Sequence, residues 1–242
     1  MFKTNLIEIF SSIQGEGKYV GCRQVFVRLT GCNLRCTYCD TNFRKQEFCN
    51  IETSAGSMKF YKVNNPMTID KVVDVIQTMI IEVPTHSISF TGGEPMLNGD
   101  FIKAIAKRID MKIFLETNGT LFNELSSIID DVDIISMDIK LPSVVGTDLF
   151  EHHRRFMEIA KAKDLYTKIV IANETSQEEF MMAVKTISSV SSDIMLILQP
   201  VTPVNEVEAA PADKLLSFQA LALKYLNDVR VVPQTHKIIN VL

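Results

Sequence analysis

The chain has 242 residues, 46% of them apolar and 22% charged, which suits one large folded domain with a full core and excludes a disordered chain. A net charge of -4 and a pI near 5.6 leave no basic footprint for nucleic acid as the direct substrate. No apolar run is long enough to span a bilayer, Glu8 interrupts the stretch where a signal peptide would be purely apolar, and five cysteines, three of them clustered, argue against a disulfide framework; a reducing cytoplasm is expected.

Residues 6–10 and 24–30 (QVFVRLT) read as an opening pair of strands. The run from Gly31 to Thr41 follows and sets Cys32, Cys36 and Cys39 at the spacing C-x3-C-x2-C. Residues 42–67 show no clear periodicity and read as an exposed insertion, a lid, a binding loop or a tolerated surface segment. Thr68 then caps a helix over residues 69–81, with Val72, Val73, Ile76, Met79 and Ile80 on one face. Strands at 87–91, 112–116, 133–139, 166–172, 194–199 and 228–232 alternate with helices over 99–109, 122–129, 148–163, 176–190 (capped by Thr175) and 212–227. Near-continuous Ile and Val strands between amphipathic helices imply an α/β fold with a parallel sheet covered on both faces. About six βα units fall short of a closed barrel, so the expected architecture is a partial, open βα barrel spanning residues 1–242, with a doubly wound sheet as the alternative. Both place ligand chemistry at the carboxyl ends of the strands.

The cysteine count carries the chemistry. A structural zinc or closed iron–sulfur site takes four protein ligands, and three thiolates on a four-iron cluster leave one iron open for a small molecule. Cys49 as a fourth zinc ligand is the competing reading, but it lies beyond an aromatic and basic stretch, and the two separated pairs usual for zinc are absent. A ferredoxin-type carrier would need a fourth cysteine of its own spacing. Cys22 reads as a small buried hydrophobe.

The loop, with Tyr38 before its last cysteine, resembles that of the radical S-adenosylmethionine (SAM) superfamily, as do Thr91-Gly92-Gly93-Glu94-Pro95 after a strand, Glu116-Thr117-Asn118-Gly119, Ser136-Met137-Asp138-Ile139-Lys140 and Leu198-Gln199-Pro200. The resemblance implies one 4Fe-4S cluster on Cys32, Cys36 and Cys39, and S-adenosylmethionine bound at the open iron and cleaved by one electron to a 5′-deoxyadenosyl radical. It places Tyr38, Gly92, Gly93, Glu94, Glu116, Ser136, Lys140 and Gln199 around that cosubstrate. Gly92 and Gly93 would let the backbone approach its methionyl group. Glu94 would hold the ammonium or, as the alternative, cap the next turn; Lys140 would touch the cosubstrate or lie on the surface.

Ser12-Ile13-Gln14-Gly15-Glu16-Gly17, Cys39-Asp40-Thr41 and Pro233-Gln234-Thr235-His236-Lys237 narrow the resemblance to the 7-carboxy-7-deazaguanine synthase family. That implies a pterin substrate, 6-carboxy-5,6,7,8-tetrahydropterin, ring contraction with loss of ammonia, a Mg2+ ion on Thr41, a flavodoxin or ferredoxin as electron donor, and a homodimer. Thr41 could equally cap a turn. Substrate contacts are expected from Ile13, Gln14, Gly15, Glu16, Arg28, Thr91 and His236. Arg28 stands in an apolar strand and needs an acidic partner, either a ligand carboxylate or a protein acid. His152 and His153, beside Arg154 and Arg155, read as surface. A glycyl-radical activase shares the cysteine spacing and is the second reading; a zinc or electron-carrier module is the third.

Overall fold

The computed structural model describes residues 3–42, 44–204 and 206–242. In chain order the elements are β1 (Lys3–Thr4), β2 (Leu6–Ile13), β3 (Arg23–Leu29), β4 (Phe48–Glu52), β5 (Phe60–Asn64), β6 (Met67–Thr68), α1 (Ile69–Glu82), β7 (Ser87–Gly92), α2 (Gly99–Ala106), β8 (Ile113–Thr117), α3 (Phe122–Ile128), β9 (Ile134–Asp138), α4 (Pro142–Val145), α5 (Phe150–Ala160), β10 (Asp164–Ile171), α6 (Gln177–Val190), β11 (Met195–Pro200), α7 (Ala212–Ala222), β12 (Val229–Val231) and α8 (Thr235–Ile238).

Among the described residues, one ten-stranded sheet runs β12-β11-β10-β9-β8-β7-β3-β2-β4-β5. Neighbours are parallel from β12 to β3, β2 is antiparallel to β3, and β4 and β5 extend the far edge as a hairpin. The ends do not meet, so the barrel is open, as the strand count implied. Thr68 caps α1 through its hydroxyl, which accepts from Lys71 N at 3.3 Å. Ser176, not Thr175, caps α6, accepting from Glu179 N; the Thr175 hydroxyl instead accepts from Ala172 N and closes the preceding turn.

The side-chain period of two divides each parallel strand between the layers. Ile113 and Leu115 of β8, and Ile135 and Met137 of β9, join the main core under the helices. Their alternates Phe114 and Ile134, with Tyr166 of β10 and Ile197 of β11, form a separate small cluster on the inner face. Tyr19 packs on it, its ring 5.8 Å from Phe114 and 6.3 Å from Tyr166. Two residues further along the same face stand Glu116, Ser136, Lys168 and Gln199. The inner face is thus apolar at one end and polar at the carboxyl end.

Two expectations are corrected. Residues 42–67 are not an unstructured insertion: β4 pairs with β2, and Cys49 and Ile51 of β4 are buried in the main core. His153 is not on the surface. It is fully buried on α5, on the face that carries Phe150, Phe156, Met157 and Ala160, with Nε2 3.2 Å from the Asn118 carbonyl. Burial pushes its imidazole down from 6.5 to about 3, against the opposing bond to Asn118.

Ile51→Ala should cost about 2–5 kcal/mol in urea unfolding, as core truncations do; a surface-insertion residue would change stability by no more than about 0.5 kcal/mol. His153 takes up a proton on unfolding below its ordinary value of 6.5 but not in the folded state until about 3. Its contribution is intact above the ordinary value and is lost as pH falls, so between about pH 7 and pH 5 the wild type should lose about 2 kcal/mol more stability than His153→Gln. Equal losses would contradict the buried neutral imidazole.

Candidate active site

The cysteine loop is held from below by the ends of β3, β7 and β8. Gly93 N donates to Leu29 O at 3.0 Å, and Glu94 N donates to Gly31 O at 2.8 Å. Gly92 has φ +112, and a Cβ there would stand 2.4 Å from Leu29 O, so this glycine is required by the backbone of β3. On the β8 side, Asn118 Nδ2 donates to Asn33 Oδ1 at 2.9 Å and Asn33 Nδ2 donates to Thr120 Oγ1 at 2.8 Å. Thr37 N reaches Val144 O, which anchors the loop's other end on α4.

Glu94 organises this support. Its buried carboxylate accepts from Met96 N at 3.0 Å, Thr117 Oγ1 at 2.8 Å and Asn118 N at 2.8 Å. Burial pushes the carboxyl up to about 7, against those three donors. The side chain caps the turn over Pro95–Asn98, as in the turn-capping alternative, and is absent from the cavity lining. Ser136 is likewise buried outside the lining, beside Tyr166 of β10.

Above the sheet lies a cavity of about 240 Å³. It is lined by Cys32, Cys36 and Cys39 with Tyr38 and Thr41, and by Thr91, Gly92, Gly93, Glu116, Lys140 and Gln199. It is also lined by Ile13, Gln14, Gly15 and Glu16 from one turn, by Arg28, and by His236 from near the other end of the chain. Asp138 and Lys168 belong to it too, and the sequence reading gave neither a role.

Four charges alternate along the floor. Glu16 Oε2 is 2.5 Å from Lys168 Nζ, Lys168 Nζ is 3.3 Å from Asp138 Oδ1, and Asp138 Oδ2 is 2.8 Å from Lys140 Nζ. Burial alone would raise the Asp138 carboxyl, but Lys140 and Lys168 outweigh it and hold it at about 2. Burial likewise opposes ionisation of Glu16, and Lys168 with Gln234 still holds it below its usual range. The Lys140 ammonium also stands 5.2 Å from the Tyr38 ring centre.

Glu116 gathers the neighbouring polar groups: Gln14 Nε2 at 2.7 Å, Thr91 Oγ1 at 3.0 Å and Ser89 Oγ at 3.3 Å donate to it. The Arg28 Nε lies 2.8 Å from Glu8, and its guanidinium rests 5.5 Å from the Phe10 ring centre while the side chain lines the cavity. The acidic protein partner and the ligand-facing position are therefore both present.

The C-terminal segment closes one side. Thr235 N donates to Gly15 O at 2.8 Å, Gln234 Nε2 donates to Glu16 Oε1 at 2.7 Å, and Lys237 pairs with Asp40 at 2.8 Å. A Cβ on Gly15 would fall 2.1 Å from His236 Nδ1, so the bare backbone of the Gln14-Gly15-Glu16 turn makes room for the His236 ring. Leu242 also reaches the lining.

A radical SAM superfamily model matches residues 26–195. A 7-carboxy-7-deazaguanine synthase from Geobacter sulfurreducens is 44% identical over 238 residues, covering 96% of this chain and 95% of the relative. The chain belongs to the 7-carboxy-7-deazaguanine synthase family of radical SAM enzymes. A member from Methanocaldococcus jannaschii is 36% identical, covering 97% of this chain and 99% of the relative. The crystal structure of QueE from Escherichia coli has the same fold, with a TM-score of 0.60, 19% identity, and coverage of 97% of this chain and 95% of that one.

Radical SAM enzymes carry a 4Fe-4S cluster and S-adenosylmethionine, and the residues of this family member fit both. Cys32 and Cys36 are half-buried, Cys39 is exposed, and all three line the cavity, thiol donors of the kind an iron–sulfur cluster takes. Cys49 is not available as a fourth ligand: it is buried in the core on β4, its thiol pushed up to about 12 by burial and by Glu8. Cys22 is outside the cavity lining. Among the described residues, the buried Gln199 Oε1 has no protein hydrogen-bond partner, and Gln199 is one of the residues that line the cavity.

Cys32→Ala, Cys36→Ala and Cys39→Ala should each reduce bound iron after anaerobic reconstitution to a small fraction of wild type and abolish cosubstrate cleavage. Cys22→Ala and Cys49→Ala should retain wild-type iron. Loss of the cluster in Cys49→Ala alone would contradict the three-thiolate site.

Proposed function

We propose that the chain converts 6-carboxy-5,6,7,8-tetrahydropterin to 7-carboxy-7-deazaguanine with release of ammonia, a step in the making of deazapurine nucleosides of the queuosine type. The observation that carries this reading is one cavity in which the three cluster cysteines meet Arg28 and Glu16. The full-length relatives that bear the synthase name support it. When bound, the cluster and S-adenosylmethionine supply hydrogen abstraction from the pterin ring carbon that bears the carboxylate.

This chain's residues bind, orient and shield. Arg28 offers its fork to the substrate carboxylate, with Glu8 and Phe10 fixing the plane of the guanidinium. Glu16 accepts from the guanidine-like edge of the pterin, and Ile13, Gln14 and Gly15 line the cavity beside it. Thr91, oriented by Glu116, faces the ring. The His236 ring over Gly15 keeps water out. Gln199, Lys140 and Tyr38 meet the cosubstrate. Thr41, beside Cys39, offers one oxygen to Mg2+; because Mg2+ demands six ligands, the substrate carboxylate and waters supply the rest. Cys39 is exposed, which gives an electron donor such as flavodoxin or ferredoxin a short path to the cluster. A homodimer completes the proposal.

Anaerobic incubation of the reconstituted enzyme with cosubstrate, reductant, Mg2+ and the carboxypterin should yield a product of the mass of 7-carboxy-7-deazaguanine; unaltered pterin would contradict the proposal. Arg28→Lys should raise the KM for the pterin by about tenfold or more with cosubstrate affinity unchanged, because an ammonium cannot reproduce the fork. A wild-type KM would remove Arg28 from the substrate site.

A further inference from the structure

We propose that Lys168 is a positioning residue that locks the Glu16 carboxylate as a charged acceptor for the guanidine-like edge of the substrate and ties that subsite, through Asp138, to the side of the cavity holding Tyr38 and Cys36. The inference rests on the proposed function and deepens it.

The geometry is specific. Lys168 projects from β10, and its side chain is 5% exposed. Its ammonium meets two carboxylates from separate parts of the fold: Glu16 at 2.5 Å, from the turn after β2, and Asp138 at 3.3 Å, from the end of β9. The two carboxylates do not depend on it equally. Asp138 has a second cation, Lys140 at 2.8 Å. Glu16 has no other cation within ion-pair distance among the described residues; its remaining bond is from the neutral Gln234 amide at 2.7 Å, itself held by Thr202 at 2.6 Å. Removing the Lys168 charge therefore leaves Asp138 paired and Glu16, half-buried, with a neutral donor alone. A carboxylate largely withdrawn from water and without a cation takes up a proton more readily. A protonated Glu16 presents one acceptor fewer and a hydrogen where the substrate edge also presents hydrogens.

The other groups facing Glu16 do not replace the cation. Asp138 is an acid and adds to the penalty, Glu116 is an acid that acts on Lys168, Tyr166 is a buried phenol, and burial holds His236 below its ordinary value, towards the neutral ring. His236 feels the Glu16 charge, so the Lys168 effect is read twice, as Lys168→Met against wild type and again with both in the Glu16→Gln background.

The test is calorimetric binding of the carboxypterin to the reconstituted holoenzyme with cosubstrate and Mg2+ but no reductant, from about pH 5.5 to about pH 8.5. Lys168→Met should weaken binding by on the order of tenfold or more and weaken it further as pH falls, relative to wild type. Glu16→Gln should remove that added pH dependence in the Lys168→Met background. Lys168→Arg, which keeps the charge, should restore most of the affinity and the wild-type profile, and it keeps the test open if Lys168→Met folds poorly. A Lys168→Met profile parallel to wild type, or an added pH dependence that persists after Glu16→Gln, would overturn the assignment while leaving the proposed function standing. A wild-type holoenzyme that binds no carboxypterin would overturn the proposed function and this inference with it.

Discussion

The three-cysteine loop is too short to define its own position, and the rest of the site depends on how it is pinned. Backbone bonds from Gly93 and Glu94 fix its start, and the Asn118–Asn33–Thr120 bonds fix its middle. Glu94 links the two supports, since its one carboxylate accepts from both the Met96 turn and the end of β8. The consequence is that the three cysteines line the cavity at the end of the sheet where the strands also deliver their polar residues. Such a placement serves chemistry in which the protein holds the cluster incompletely and lets a small molecule finish it.

The second organising feature is the row Glu16–Lys168–Asp138–Lys140. Isolated buried charges are costly, and this row is tolerable because each carboxylate lies against an ammonium and the ends are solvated or hydrogen-bonded. It also bridges two regions with different tasks. One end belongs to the turn that the C-terminal segment covers; the other stands beside Tyr38 and the cysteine loop. The Lys237–Asp40 pair makes a second link between the same two regions across the top of the cavity. Both links mean that the Glu16 side and the cysteine side are built as one chamber.

Much of this was legible in the sequence because the fold obeys simple periodicities. Thr68 and the apolar stripe of α1 announced a helix, and strand-end motifs fell where an open α/β barrel keeps its ligands. Arg28 was visible because one charge stood in an apolar strand. Lys168 obeys the same rule, yet its segment reads as an apolar run, and only the sheet register shows it two residues beyond Tyr166 on the inner face. His153 was hidden by the charged stretch around it, although its spacing from Phe150, Phe156 and Ala160 matches a buried helical face. The β4–β5 hairpin was missed because five-residue strands carry too few alternations to stand out. The surroundings of Glu94 were hidden in one dimension: a carboxylate after two glycines can meet a ligand or a turn, and two of its three donors, Thr117 and Asn118, come from the end of β8 and the residue after it.

The central claim is that three thiolates of this chain hold a four-iron cluster whose remaining corner is left to the cosubstrate. Mössbauer spectroscopy of enzyme reconstituted with iron-57 tests it most directly. Adding S-adenosylmethionine should change the isomer shift and splitting of one iron of the four and leave the other three unchanged. Four irons that all keep their parameters, with the cosubstrate demonstrably bound, would contradict the account.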